Sequence, residues 1–193
     1  MAKKDVLFPN GTRILELGSG AGFLGILCAR LAQNTDIYLT DLEGSVLDRL
    51  RETVELNGLK DAIHVHVAPL DWTDATKDLL KNVNATLILA ADTVYDPELV
   101  GPLAQTIRAA LIGDGSSERL FGTTTPVPTA LVASTVRNPD TYFMFEHAIK
   151  HARLKIRQAE LLQAEWPGGW PVFPSVHDPF TDGHVVLAEI TLA

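Results

Sequence analysis

Residues 13–31 read RILELGSGAGFLGILCARL, and the reading of this stretch decides the fold. A short apolar run, Ile14 to Leu17, meets four glycines at positions 18, 20, 22 and 25, after which Leu24, Leu27, Cys28 and Leu31 recur at helical spacing. The pattern is strand, tight turn, helix. Gly18, Gly20 and Gly22 let the backbone take positive φ and approach a ligand with no Cβ in the way. The helix that follows directs its free N–H groups and the positive end of its dipole at the same place. A small ligand is expected there.

Dinucleotide folds also use a glycine-rich first turn, so the ligand needs a finer argument. G-x-G-x-x-G calls for glycine at position 23, where the chain has Phe23. The acidic Glu16, at the strand end, repels a pyrophosphate but suits a ligand that carries an ammonium and a sulfonium, as S-adenosylmethionine does. That cofactor leads NAD, although this stretch alone leaves both in play. A second strand, Asp36 to Thr40, ends in Asp41, about 20 residues beyond the glycines, where a carboxylate can accept both hydroxyls of a ribose. Either ligand would use it.

The rest of the chain alternates in the same way. Ser45 with Asp48 resembles a capping box, Leu47, Leu50 and Val54 form a helical face, and Asn57-Gly58 closes that helix. Ala62 to Val67 reads as a third strand with His64 and His66 on one face; a solvated strand face is the better reading than a metal site, for no third ligand is near. Leu70, Asp71 and Trp72 follow, where Asp71 could accept from an exocyclic amine of adenine and Trp72 could stack on the base, or Trp72 could simply cover the edge of the core. Ala85 to Ala91 is apolar throughout, as a central strand buried on both faces should be. It stops at Asp92, with Tyr95 three residues on. Ligands of open α/β sheets sit beyond the carboxyl ends of the strands, so Asp92 and Tyr95 should face the crevice of the glycine turn.

Pro97 opens a helix with Val100, Leu103, Ile107 and Leu111 on its buried side, and residues 113–129 read as a surface loop. Ala130 to Val136 is a fifth strand, and Asn138 caps a helix with Pro139 at its first position and Tyr142, Phe145 and Ile149 inward. His147 and His151 lie at i, i+4 on that helix without partners for a metal. Leu154 to Glu160 and His184 to Thr191 are the last two strands, joined by residues 166–182, a segment rich in Trp, Phe and Pro and expected to pack as a rigid loop. The sum is an α/β domain of seven strands, helices on both faces, ending in an antiparallel hairpin.

Composition bounds the partners. The chain has 193 residues, 46% hydrophobic and 21% charged, with a net charge of -8, enough for one domain with a full core. The acidic balance argues against a nucleic-acid partner, which usually meets a basic patch. One cysteine, Cys28, excludes an internal disulfide and fits a reducing compartment. No run approaches the roughly 18 apolar residues of a membrane span, and the stretch MAKKDVLFPNG lacks the apolar region expected of a signal peptide. A cytoplasmic location is expected.

The run ILELGSGAGFLGI, the acidic strand end at Asp41, the Asp71-Trp72 pair and LAADTVY together resemble the seven-strand, S-adenosylmethionine-dependent protein lysine methyltransferases with a D-x-x-Y signature after strand four. ASTVRNPDTYFMFEHAI, residues 133–149, is similar to the eukaryotic elongation factor 2 lysine methyltransferase branch. The resemblance implies a Rossmann-like class I methyltransferase fold over residues 1–193, without the longer N-terminal region of that family. It also implies S-adenosylmethionine as cofactor and protein-lysine methylation, with elongation factor 2 as the partner; a monomer is expected. By position it places Gly18, Ser19 and Gly20 along the methionine part of the cofactor, Asp41 at the ribose, Trp72 at the adenine and Ala91 at the pocket floor. Asp92 and Tyr95 would shape the lysine channel. Three other classes stand beside it: an NAD oxidoreductase, a nucleic-acid amine methyltransferase, whose D/N-P-P-Y/W turn is absent at Asp92 to Tyr95, and a non-catalytic binding module.

Overall fold

The computed structural model describes residue 8 and residues 11–32, 35–74, 77–114, 127–158 and 185–193. Among these residues seven strands, β1 (Arg13–Leu17), β2 (Asp36–Asp41), β3 (Val65–Pro69), β4 (Leu87–Ala91), β5 (Thr129–Thr135), β6 (Leu154–Gln158) and β7 (Val185–Leu192), form one sheet. Its order is β3-β2-β1-β4-β5-β7-β6; the first five are parallel and β7 runs antiparallel between β5 and β6. Among the described residues five helices cover it: α1 (Phe23–Leu31), α2 (Ser45–Leu56), α3 (Lys77–Val83), α4 (Val100–Ile112) and α5 (Pro139–His151).

Strand alternation divides the core in two. Leu15 and Leu17 of β1 and Ile88 and Ala90 of β4 face the buried residues of α3, α4 and α5. Ile14 of β1, with Ile37 and Leu39 of β2, faces α1 and α2. β1 and β4 lie at the centre with helices on both sides; β4 is apolar throughout, the pattern of a parallel strand buried on two faces, and β1 is apolar from Ile14 to Leu17 except for the buried Glu16.

The elements follow their sequence signals with four differences, the first being that α4 begins at Val100 with Leu99 at its N-cap, so Pro97 lies in the turn ahead of it. Leu47, Leu50 and Val54 of α2 are buried and Asn57-Gly58 ends it, but Gly44 occupies the N-cap position and Ser45 is already in the first turn, so no side chain caps that end. On α1 the face against the sheet is Gly25, Ile26, Cys28 and Ala29, while Leu27 and Leu31 are exposed. The helix packs on its smaller residues because it lies close to β2: a Cβ on Gly25 would overlap the Leu39 side chain and come 2.5 Å from Glu16 Oε2. The third strand begins at Val65, leaving His64 outside it; His66 stacks on Tyr38 with ring centroids 4.4 Å apart. As its sequence implied, α5 is capped by Asn138, whose side chain accepts from the N–H groups of Asp140 at 2.9 Å and Thr141 at 3.5 Å. The proposed rigid loop at residues 166–182 and most of the surface loop at 113–129 lie outside the described residues.

Candidate active site

The carboxyl ends of β1, β2 and β4 converge on a cavity of about 280 Å³, lined by Gly18, Asp41, Trp72, Asp92, Thr93 and Tyr95 with Leu42, Leu70, Asp71, Thr73 and Leu99. The glycine turn and the turn after the fourth strand thus meet at one cavity.

The turn after β1 is held by bonds to β2. Ser19 N–H donates to the Thr40 carbonyl at 2.9 Å, and Thr40 N–H donates back to Ser19 Oγ at 3.1 Å. The Thr40 hydroxyl donates to the Glu16 carbonyl at 2.6 Å. Ser19 is accordingly buried, its side chain turned toward β2. Gly18, Gly20 and Gly22 all take positive φ, at 67°, 54° and 84°. Of these, Gly18 lines the cavity, and an added Cβ there would come 3.0 Å from Thr93 Cγ2 and 3.3 Å from the Trp72 ring. Only glycine leaves that gap between the β1 turn and the indole. Gly22 is the N-cap of α1, and its missing Cβ makes room for Leu50.

Asp41 presents its carboxylate at the cavity wall, with Oδ2 accepting from Gly20 N–H at 2.7 Å and Oδ1 from Leu42 N–H at 2.8 Å. A carboxylate offers about four acceptor sites, so two remain for ligand hydroxyls. Asp71 is tied into its own turn, Oδ1 accepting from Thr73 N–H at 2.8 Å and from the Thr73 hydroxyl at 2.7 Å, which holds its pKa below the ordinary carboxylate value.

Glu16 differs from expectation in where it points. It shares a face of β1 with Ile14, so its side chain runs under α1, where it is 2% exposed and Oε2 has no hydrogen-bond partner among the described residues. Burial raises its pKa to about 7, opposed by bonds from Ser19 and from the Gly25 N–H in the first turn of α1. Glu16 therefore stands behind the glycine turn. Ala91, at the end of β4, is exposed and, like Glu16, Ser19, Gly20 and Gly22, is not among the residues lining the cavity.

Asp92 takes φ 55°, a left-handed conformation that aspartate tolerates better than most side chains. Its N–H donates to the Ala133 carbonyl at 2.7 Å, which locks the turn against β5. The carboxylate is gripped by Arg137, Nη1 to Oδ1 at 3.1 Å and Nη2 to Oδ2 at 3.0 Å, a paired two-pronged contact. The guanidinium holds the Asp92 carboxyl below its usual range. Tyr95 is 63% exposed at the rim, and Thr93 is buried, its hydroxyl without a hydrogen-bond partner among the described residues, in the cavity wall. Sequence reasoning did not single out Arg137 or Thr93. Arg137 lies within the stretch that carried the family resemblance, and Thr93 directly follows Asp92.

The donor set fits a nucleoside joined to a polar tail: a carboxylate with spare acceptor capacity, an indole face, an orphaned buried hydroxyl and a glycine cradle that a Cβ would fill. The sheet order and this cavity define a class I S-adenosylmethionine-dependent methyltransferase fold. In agreement, the chain superposes on a TehB-like SAM-dependent methyltransferase from Corynebacterium glutamicum with TM-score 0.61 at 16% identity, covering 98% of this chain and 84% of that one. It also superposes on the O-methyltransferase NcsB1 of neocarzinostatin biosynthesis, solved with S-adenosylmethionine, with TM-score 0.59 at 13% identity over 94% of this chain and 49% of that one.

Residues 6–121 match the model of the family described as lysine methyltransferase, and the chain belongs to that family. Its cofactor is S-adenosylmethionine. Among curated relatives, the protein-lysine N-methyltransferase EEF2KMT of Homo sapiens is 34% identical over 162 residues, 79% of this chain and 46% of the relative. That of Bos taurus is 33% identical over 151 residues, 68% of this chain and 42% of the relative. The calmodulin-lysine N-methyltransferase of Arabidopsis thaliana is 29% identical over 112 residues, 58% of this chain and 36% of the relative. The chain thus spans less than half the length of each.

Proposed function

We propose that this domain is a protein-lysine N-methyltransferase whose substrate is elongation factor 2, acting as a cytoplasmic monomer. The observation that carries the reading is the turn from Asp92 to Tyr95, which lines the same cavity as Gly18 and Trp72. The EEF2KMT relatives support elongation factor 2 over other proteins, and the net charge of -8 favours a protein over a nucleic acid.

In this reading Asp41 accepts the ribose hydroxyls, Trp72 stacks on the adenine, Asp71 faces its amino group, and the backbone of Gly18 to Gly20 follows the methionine part. Ser19 and Gly22 hold that backbone in shape, and Glu16 supports it from the α1 side. Ala91 closes the floor only where a ligand reaches the end of β4. When bound, the cofactor supplies a methyl group on a positively charged sulfur. A free lysine of pKa near 10.4 is neutral only about 0.04% of the time at pH 7, so the site has to favour the amine. Leu42, Leu70, Trp72 and Leu99 provide apolar walls, which disfavour the ammonium by desolvation. Asp92 and Tyr95 orient the side chain at the entry, and orientation shortens the search for a reactive geometry.

The test is incubation with radiolabelled S-adenosylmethionine and either purified elongation factor 2 or bulk RNA. Label on a lysine of the factor supports the reading; label in RNA, or on neither, removes it.

A further inference from the structure

We propose that Arg137 is a positioning residue that sets the charge of the lysine entry: by pairing with Asp92 in a two-pronged contact, it keeps that carboxylate from holding the incoming lysine as its ammonium. The inference rests on the protein-lysine reading above and adds to it a residue and a chemical task. A carboxylate at the mouth of an amine-methylating site poses a conflict, because it attracts the cationic substrate and also stabilises the protonated form that cannot react. The geometry resolves it. Arg137 Nη1 and Nη2 lie 3.1 and 3.0 Å from the two Asp92 oxygens, and Thr135 N–H reaches Oδ1 at 3.4 Å. Asp92 keeps acceptor capacity to align a lysine, while its charge is balanced by a cation from the β5–α5 connection.

The other groups around the entry make that balance matter. Tyr95 and the Thr93 hydroxyl stand on the same turn as Asp92, and across the cavity are two more carboxylates, Asp41 and Asp71. Among the described residues lining the cavity there is no Lys or Arg. Arg137, reaching Asp92 from outside the lining, is thus the cation paired with the carboxylate at the entry. The position is also braced: Asn138, the next residue, is the N-cap of α5, and Arg137 N–H bonds the Thr135 carbonyl at 2.9 Å, so the guanidinium is presented from a fixed turn. The step concerned is the loss of one proton from the lysine ammonium to solvent before its lone pair is available.

A charge at 4–6 Å typically moves a pKa by about 1–3 units, and the pair is half exposed, at 56% and 50% for the two side chains, so the low end applies. In Arg137→Gln the rise of kcat with pH on purified elongation factor 2 should therefore move up by about one unit. Turnover near pH 7 should fall about tenfold and return to the parent plateau in alkali, while Arg137→Lys, which keeps the charge, should stay close to the parent profile. A loss of kcat by one factor at every pH would mean a merely structural role and overturn the proposal. Carbon-13 titration of the Asp92 carboxyl provides a readout that needs no turnover: it should titrate higher in Arg137→Gln than in the parent. An unchanged Asp92 titration would also overturn the proposal. If the parent leaves elongation factor 2 unlabelled, the substrate reading falls, and the Asp92 titration decides the role of Arg137 by itself.

Discussion

The Asp41 carboxylate reaches from the end of β2 back to the Gly20 N–H, 2.7 Å away, and so fastens the glycine turn to the strand beside it. The same side chain lines the cavity, which makes it both a brace for the turn and the acceptor proposed for the ribose. Replacing it by asparagine keeps the shape and removes the charge. Asp41→Asn is expected to weaken S-adenosylmethionine binding by about 1.5–3 kcal/mol, the range for hydrogen bonds to a charged group, with a smaller loss of thermal stability. Calorimetric titration beside a melting curve separates the two.

Trp72 is half-buried against the core and also faces the cavity. If the indole stacks on adenine, Trp72→Ala lowers cofactor affinity by about 1–3 kcal/mol. A variant that binds the cofactor like the parent and melts earlier would leave the indole a covering for the core edge alone.

The glycines should not be equivalent. A Cβ at Gly20 would meet nothing within 4 Å, whereas one at Gly25 would run into Leu39 and Glu16. Gly25→Ala should therefore destabilise by about 1–3 kcal/mol through overpacking. Gly20→Ala bears the cost of positive φ, about 1–2 kcal/mol, without that collision. In chemical denaturation Gly25→Ala should have the lower midpoint, and equal midpoints would argue against the close approach of α1 to β2.

Glu16 predicts a pH dependence of stability. Its pKa is raised by burial from an ordinary 4.5 to about 7, so between these values the folded state binds more protons than the unfolded chain. The stability it contributes is complete below pH 4.5, falls as pH rises to about 7, and is flat above that. The size is on the order of 3 kcal/mol. Glu16→Gln should flatten this part of the profile and make the protein more stable than the parent at pH 8, as read by denaturant midpoints across the pH range.

What could be read from sequence and what could not divides by the range of the interaction. The strand–turn–helix at Ile14 to Leu31, the Asn138 cap and the end of β4 at Asp92 are written in neighbouring residues, and each stands where its local pattern put it. The Arg137–Asp92 pair joins residues 45 apart in the chain, and no local pattern announces it. Glu16 precedes the glycines, a local position that points to the ligand, whereas its two-residue phase with Ile14 sets it on the face under α1. On α1 the leucines seemed the buried stripe by hydropathy, but the small residues won, since backbone proximity to β2 leaves no space for branched side chains. Ser45 and Asp48 have capping-box spacing, yet Gly44 takes the cap, a boundary difference of one residue that propensity cannot resolve.

The place of β7 between β5 and β6 has a consequence for the order of events on the ribosome. β6 is synthesised well before the strand it pairs with, and β5 pairs with β4 on one side while its other side waits for β7. Until residues 185–192 emerge, the nascent chain carries an open sheet edge at β5 and an unpartnered β6, a state able to pair with the wrong neighbour. A chain ending before Val185 would be expected to stay with chaperones instead of maturing, even though every residue that lines the cavity lies upstream of that point.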